Sequence, residues 1–143
     1  MPTPNETRAT AAVIDFATQW KLESFPREAI SLAKQCIVDG LGVILAGSTA
    51  HGPAIVRDYV RAGKEVGEAT VLGADTFSCR AASAALVNGT AGHALDFDDT
   101  QLSSSPDRIF GLLTHPTIPP LAASLAIGER IGASGRQILE AYL

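Results

Sequence analysis

The chain has 143 residues, 46% of them hydrophobic and 18% charged, with a formal net charge of -4. That length suits one domain, with a core burying roughly two-thirds of the unfolded surface. The acidic balance excludes bulk electrostatic attraction to nucleic acid or to an anionic membrane surface, so an anionic ligand would need local cations or helix N-termini around it.

The first residues, MPTPNETRAT, are polar and show no basic segment leading into an apolar one, so no secretory signal is expected. No apolar run is expected to approach the ~18 residues of a membrane-spanning helix. Cys36 and Cys79 stand apart without a C-x-x-C spacing, which fits buried, reduced thiols. A cytoplasmic location is the expectation, with neither nucleic acid nor membrane as a partner.

Val13, Phe16, Ala17 and Trp20 recur at helical spacing and predict a first amphipathic helix that fades near Lys21. Ser24, ahead of Phe25 and Pro26, predicts a capped helix start. The helix that follows presents Ile30, Ala33, Ile37, Leu41 and Leu45 and stops at Gly47. Gly40 and Gly42 each cost it about 1 kcal/mol relative to alanine, which predicts close approach of a neighbouring helix.

Pro53 opens a third helix, through Ile55, Val56, Tyr59 and Val60 to Gly63. The residues EATVL, between Gly67 and Gly73, predict a short extended segment. Thr76 or Ser78 can then cap a helix built of small residues, CRAASAALVNGTAGHAL, which is expected to be central and buried. Gln101 to Pro116 has no sustained period and reads as a loop. A further helix follows, with prolines near its start and Gly132 past its end. Ser134 and Gln137 form a capping box for one more. Five or six helices and at most one short strand make the fold class all-α. The chain stops at Leu143 in mid-element, which reads as a piece of something longer.

HALDFDDT, His93 to Thr100, concentrates a histidine and three aspartates in an apolar, alanine-rich neighbourhood. If the preceding helix continues through Thr100, then His93, Asp96, Phe97 and Thr100 share about a third of its circumference. Asp99 then lies at the edge of that group, and Asp98 points the other way, to solvent or a structural bond. Acids at a helix C-terminus oppose the helix dipole and repel one another, which is tolerable where chemistry needs a proton carrier.

Three chemistries compete for this cluster. D-F-D-D-T matches the D-x-D-x-T of phosphoaspartate phosphatases, but NGTAGHAL lacks the buried strand that such a site requires. Magnesium for a diphosphate substrate wants acids one or two turns apart and a second acidic helix, and none is seen. The third is metal-free acid–base work on a small carboxylic acid. His115 supports it: preceding Pro116, it is biased to the turn feeding the next helix, whose N–H groups attract a substrate carboxylate. His93 reads as a hydrogen-bonded supporting group and His51 as a structural loop residue. Arg80 and Arg108 are candidate anion partners that more naturally sit on the surface.

The segments AKQCIVDGLGVILAGS, AALVNGTAGHALDFDDT and GLLTHPTIPPLAASLAIGE together resemble the N-terminal region of the MmgE/PrpD family, from about Ala9 onward. That family includes 2-methylcitrate dehydratase, cis-aconitate decarboxylase and iminodisuccinate epimerase. The resemblance implies that residues 1–143 belong to a large helical domain, with a lid domain from later sequence. It also implies a homodimer and a cofactor-independent lyase or epimerase, with no metal, acting on a small di- or tricarboxylic acid. By position, Asp96, Thr100 and His115 would be catalytic, with His93 and Asp99 binding substrate. Lysines and a second histidine would come from beyond residue 143, so the chain alone is expected to lack full activity. The competing class is a non-catalytic helical module for oligomerisation.

Overall fold

The computed structural model describes residues 4–101 and 114–143, with side chains from Arg8 onward. Six α-helices and one two-stranded sheet appear among them. Helix α1 spans Pro4–Gln19, and a single 3-10 turn, Leu22–Ser24, leads to α2, Arg27–Gly47. Helix α3 spans His51–Ala62, strands β1 and β2 span Ala69–Val71 and Phe77–Cys79, and α4 spans Ala81–His93. Helices α5, Ile118–Ile131, and α6, Gly135–Tyr142, complete the order.

Most local signals act where the sequence places them. Gly132 takes the left-handed conformation (φ 66°) that ends α5, and Ser134 and Gln137 exchange both bonds of the capping box that starts α6. The start of α2 differs from expectation. Pro26 is its N-cap, while the Ser24 hydroxyl closes the preceding 3-10 turn against the Lys21 N–H. A second strand also forms where one was the most expected: Phe77–Cys79 pairs antiparallel with Ala69–Val71, Thr70 opposite Ser78. Three residues are too few to show an alternating pattern.

Helix α4 is the centre of the molecule. Its small residues let α2, α3 and α5 all pack on it. Ala81, Ala84 and Val87 meet Val60, Val71 and Ala126 in one apolar cluster, and Ala91 joins Ile44, Ile118 and Leu121 in another. Asn88, buried on the same helix, is bonded through both ends of its amide. Its Oδ1 accepts from the Leu72 N–H at 2.9 Å and its Nδ2 donates to the Thr70 carbonyl at 2.9 Å, which fixes β1 to the helix.

Helix α2 is apolar enough (mean hydropathy 1.6) and long enough to cross a membrane by length and composition. Here Gly40 and Ile44 turn towards α5. A Cβ at Gly40 would lie 2.5 Å from Leu121 Cδ2, so that glycine admits the neighbouring helix, whereas Gly42 faces nothing within 4 Å. Both cysteines are free, and burial pushes the Cys79 thiol above its ordinary range.

Candidate active site

The helix expected to run through Thr100 stops at His93. Ala94 caps it, and the Asp96 N–H closes a last turn on the His93 carbonyl at 3.2 Å. Asp96 then adopts φ 56°, a left-handed conformation that aspartate tolerates better than most residues. The chain reverses there, so the face shared by His93, Asp96 and Thr100 on a continuous helix is not formed. Thr100 is exposed, in irregular chain beyond the reversal.

Reversal sends Asp98 inward instead of outward, so the expectation that it faces away from the cluster is corrected. Its side chain is 1% exposed and lies between two imidazoles. His93 Nδ1 is 3.0 Å from Oδ1 and 3.2 Å from Oδ2. A carboxylate can only accept, so His93 Nδ1 carries a proton and donates it to Asp98. His115 Nδ1 is 3.2 Å from Asp98 Oδ2 but makes no hydrogen bond there, and that nitrogen is buried. The two rings stand edge to face, centroids 4.5 Å apart. Asp96, with its side chain 81% exposed, reaches to 3.9 Å from His115 Nε2.

Asp99 serves the next helix. Its Oδ1 accepts from the Thr117 N–H at 3.1 Å and its Oδ2 from the Thr117 hydroxyl at 2.7 Å. With that proton committed, the Tyr142 hydroxyl is left to donate to Thr117 Oγ1, 2.9 Å away. Burial is the main cause that pushes the Tyr142 phenol above its ordinary range, with nearby Cys36 and Asp99 adding to it and the Thr117 bond opposing it. The positive end of α5, expected to attract a substrate carboxylate, thus already faces one of the protein's own.

A cleft of about 1090 Å³ opens beside these groups, at the upper end of the range for small-molecule sites. Gly89, Thr90 and His93 of α4 form one wall, Thr114, His115 and Ile118 another, with Asp98 between. The lining is mostly apolar, with few convergent polar groups. His51, expected to be a structural loop residue, is the first residue of α3 and lines this cleft. Arg80 is the N-cap of α4 and lies outside it. Arg108 and most of the predicted loop fall outside the described residues.

Asp98 is thus the group that the sequence reading passed over. A signal was present, since three acids at a helix C-terminus oppose its dipole. That conflict is relieved most simply by ending the helix ahead of them.

A family model for the MmgE/PrpD N-terminal domain matches residues 11–143. No curated protein and no solved structure matches the chain.

Proposed function

Because the chain belongs to the MmgE/PrpD family, we propose that it forms the helical part of a cofactor-independent lyase acting on a small di- or tricarboxylic acid. Dehydration and decarboxylation both develop charge at a carbon beside a carboxylate. Both need a proton carrier held within reach of that carbon.

The observation that supports this reading most is the placement of Asp98 between His93 and His115 at the cleft wall. A buried carboxylate accepting from an imidazole Nδ1–H fixes its tautomer and the orientation of its ring. In this scheme His115 carries the proton and His93 binds or relays. Asp96, 3.9 Å from His115 Nε2, orients substrate or accepts the proton in turn. Asp99 acts behind them, through the start of α5. Epimerisation of a related acid uses the same first proton removal and is the alternative within the family.

The described residues lining the cleft include no lysine or arginine, so the charge that would hold a polycarboxylate is proposed to come from another segment or subunit. Exposed apolar side chains on and just after α1 and on α2, among them Phe16, Trp20, Leu32 and Val38, support self-association into a homodimer. A cytoplasmic location fits the same reading.

The test is to assay the purified full-length protein against a panel of citrate-like acids, reading water loss, carbon dioxide release and racemisation. Turnover of one acid that falls at least about 100-fold in Asp96→Asn or His115→Gln is the expected result. If the variants match the parent enzyme, these side chains leave the mechanism. Inertness towards the whole panel, with self-association intact, favours the oligomerisation module.

A further inference from the structure

His93, Asp96, Asp98 and His115 each offer one donor atom within 4.8 Å of the others. We infer that these four side chains form a capture site for one divalent transition cation of the zinc class. Binding does not depend on the lyase reading; only its effect on turnover rests on that.

Two features beyond proximity point to a cation. Asp98 is buried, and its ion-pair partners among the described residues are His93 and His115, with no lysine or arginine. A buried carboxylate is costly unless its charge is compensated. Beside it, the buried His115 Nδ1 has no hydrogen-bond partner among the described residues, although such atoms are almost always satisfied in folded proteins. A metal ion would answer both at once.

The donor set selects the ion. Two imidazoles with carboxylates suit zinc, cobalt or nickel, whereas magnesium and calcium want oxygen throughout. Zinc bonds of about 2.0–2.1 Å set neighbouring ligands about 3.4 Å apart in a tetrahedron. Asp98 already stands 3.0 Å from His93 Nδ1 and 3.2 Å from His115 Nδ1. Asp96, exposed and free to turn, closes the fourth position with a change of rotamer.

Capture has a defined proton balance. The cation takes the Nδ1 lone pair of each imidazole, and the proton of a neutral His93 moves through solvent from Nδ1 to Nε2, with no net release. Each neutral ring then carries its one proton on Nε2, so neither can accept another. Under the proposed chemistry the bound ion is therefore an inhibitor.

The experiment uses tag-free, chelator-treated protein titrated with Zn²⁺ by calorimetry and with Co²⁺ by visible absorption. One equivalent is expected to bind saturably. The cobalt spectrum should show d–d bands without the near-ultraviolet thiolate band that Cys36 or Cys79 would give. The double variant His93→Gln/His115→Gln, checked by circular dichroism, should lose at least tenfold in affinity. Asp96→Asn removes the charge of an exposed side chain and keeps a residue that tolerates the left-handed backbone, so it tests the site with little risk to folding, and it should weaken binding severalfold. No saturable binding, a dominant thiolate band, or full affinity in both variants would overturn the inference. Binding without turnover on any acid sinks the lyase reading alone, and turnover indifferent to stoichiometric Zn²⁺ with no heat of binding sinks the cation site alone.

Discussion

Gly92 and Ile118 touch where α4 and α5 cross: a Cβ built on Gly92 would lie 2.7 Å from both Cγ2 and Cδ1 of Ile118. Ile118 is buried and β-branched, so it has little freedom to yield. The contact sets the spacing between the helix that ends in His93 and the helix that His115 precedes. Gly92→Ala is expected to destabilise the fold by about 1–3 kcal/mol through overpacking, even though alanine is the better helix former. Urea denaturation measures it, and an unchanged midpoint would mean that the crossing has slack.

Asp98→Asn keeps the shape and removes the charge. An amide can still accept from His93 Nδ1, but it no longer stabilises a positive imidazole beside it. Turnover on the best acid is expected to fall about 100-fold or more, with the larger loss in kcat than in KM. A loss confined to KM would assign Asp98 to substrate binding.

The Asp99–Thr117–Tyr142 chain joins the acidic stretch, the start of α5 and the last helix. Thr117→Val leaves Asp99 and Tyr142 each short of a partner and should cost about 1–3 kcal/mol. Tyr142→Phe removes one end and should cost less. Because Thr117 is common to both bonds, the double variant should fall short of the sum by at least about 0.5 kcal/mol. Simple additivity of the unfolding energies would show that the two bonds act independently.

Glu140 gives stability a dependence on acid. Its carboxylate accepts from the Leu22 N–H at 2.8 Å, the main cause holding its pKa below the ordinary glutamate range. Lys21 and Arg136 add to the effect and partial burial opposes it. The unfolded chain therefore takes up this proton first as pH falls. The contribution is full above the ordinary glutamate value, about 4.3, and is lost as pH drops through the lower folded value. Thermal melts of Glu140→Gln should accordingly lie below the parent at neutral pH and converge with it towards pH 3. Parallel curves would dismiss this coupling.

What was legible in the sequence was whatever a residue and its near neighbours decide. Gly63 and Gly132 end helices, Ser134 and Gln137 start one, and the small residues of α4 lie buried at the centre. HALDFDDT was legible as the place where chemistry gathers, but not in its geometry. No glycine or proline marks the end of α4; an aspartate takes the left-handed position that glycine usually fills. Which acid turns inward is then settled by tertiary partners: Asp98 bonds back to His93 and lies against His115, while Asp99 bonds to Thr117. Helical periodicity alone carries no such information.

The single bridge between Gln101 and Thr114, with the Gln101 N–H on the Thr114 carbonyl at 2.8 Å, clamps both ends of residues 102–113 next to the site. The clasp holds the segment that carries Asp98 beside the segment that carries His115, so a change that broke this one pair of backbone groups would loosen the carboxylate and the imidazole together.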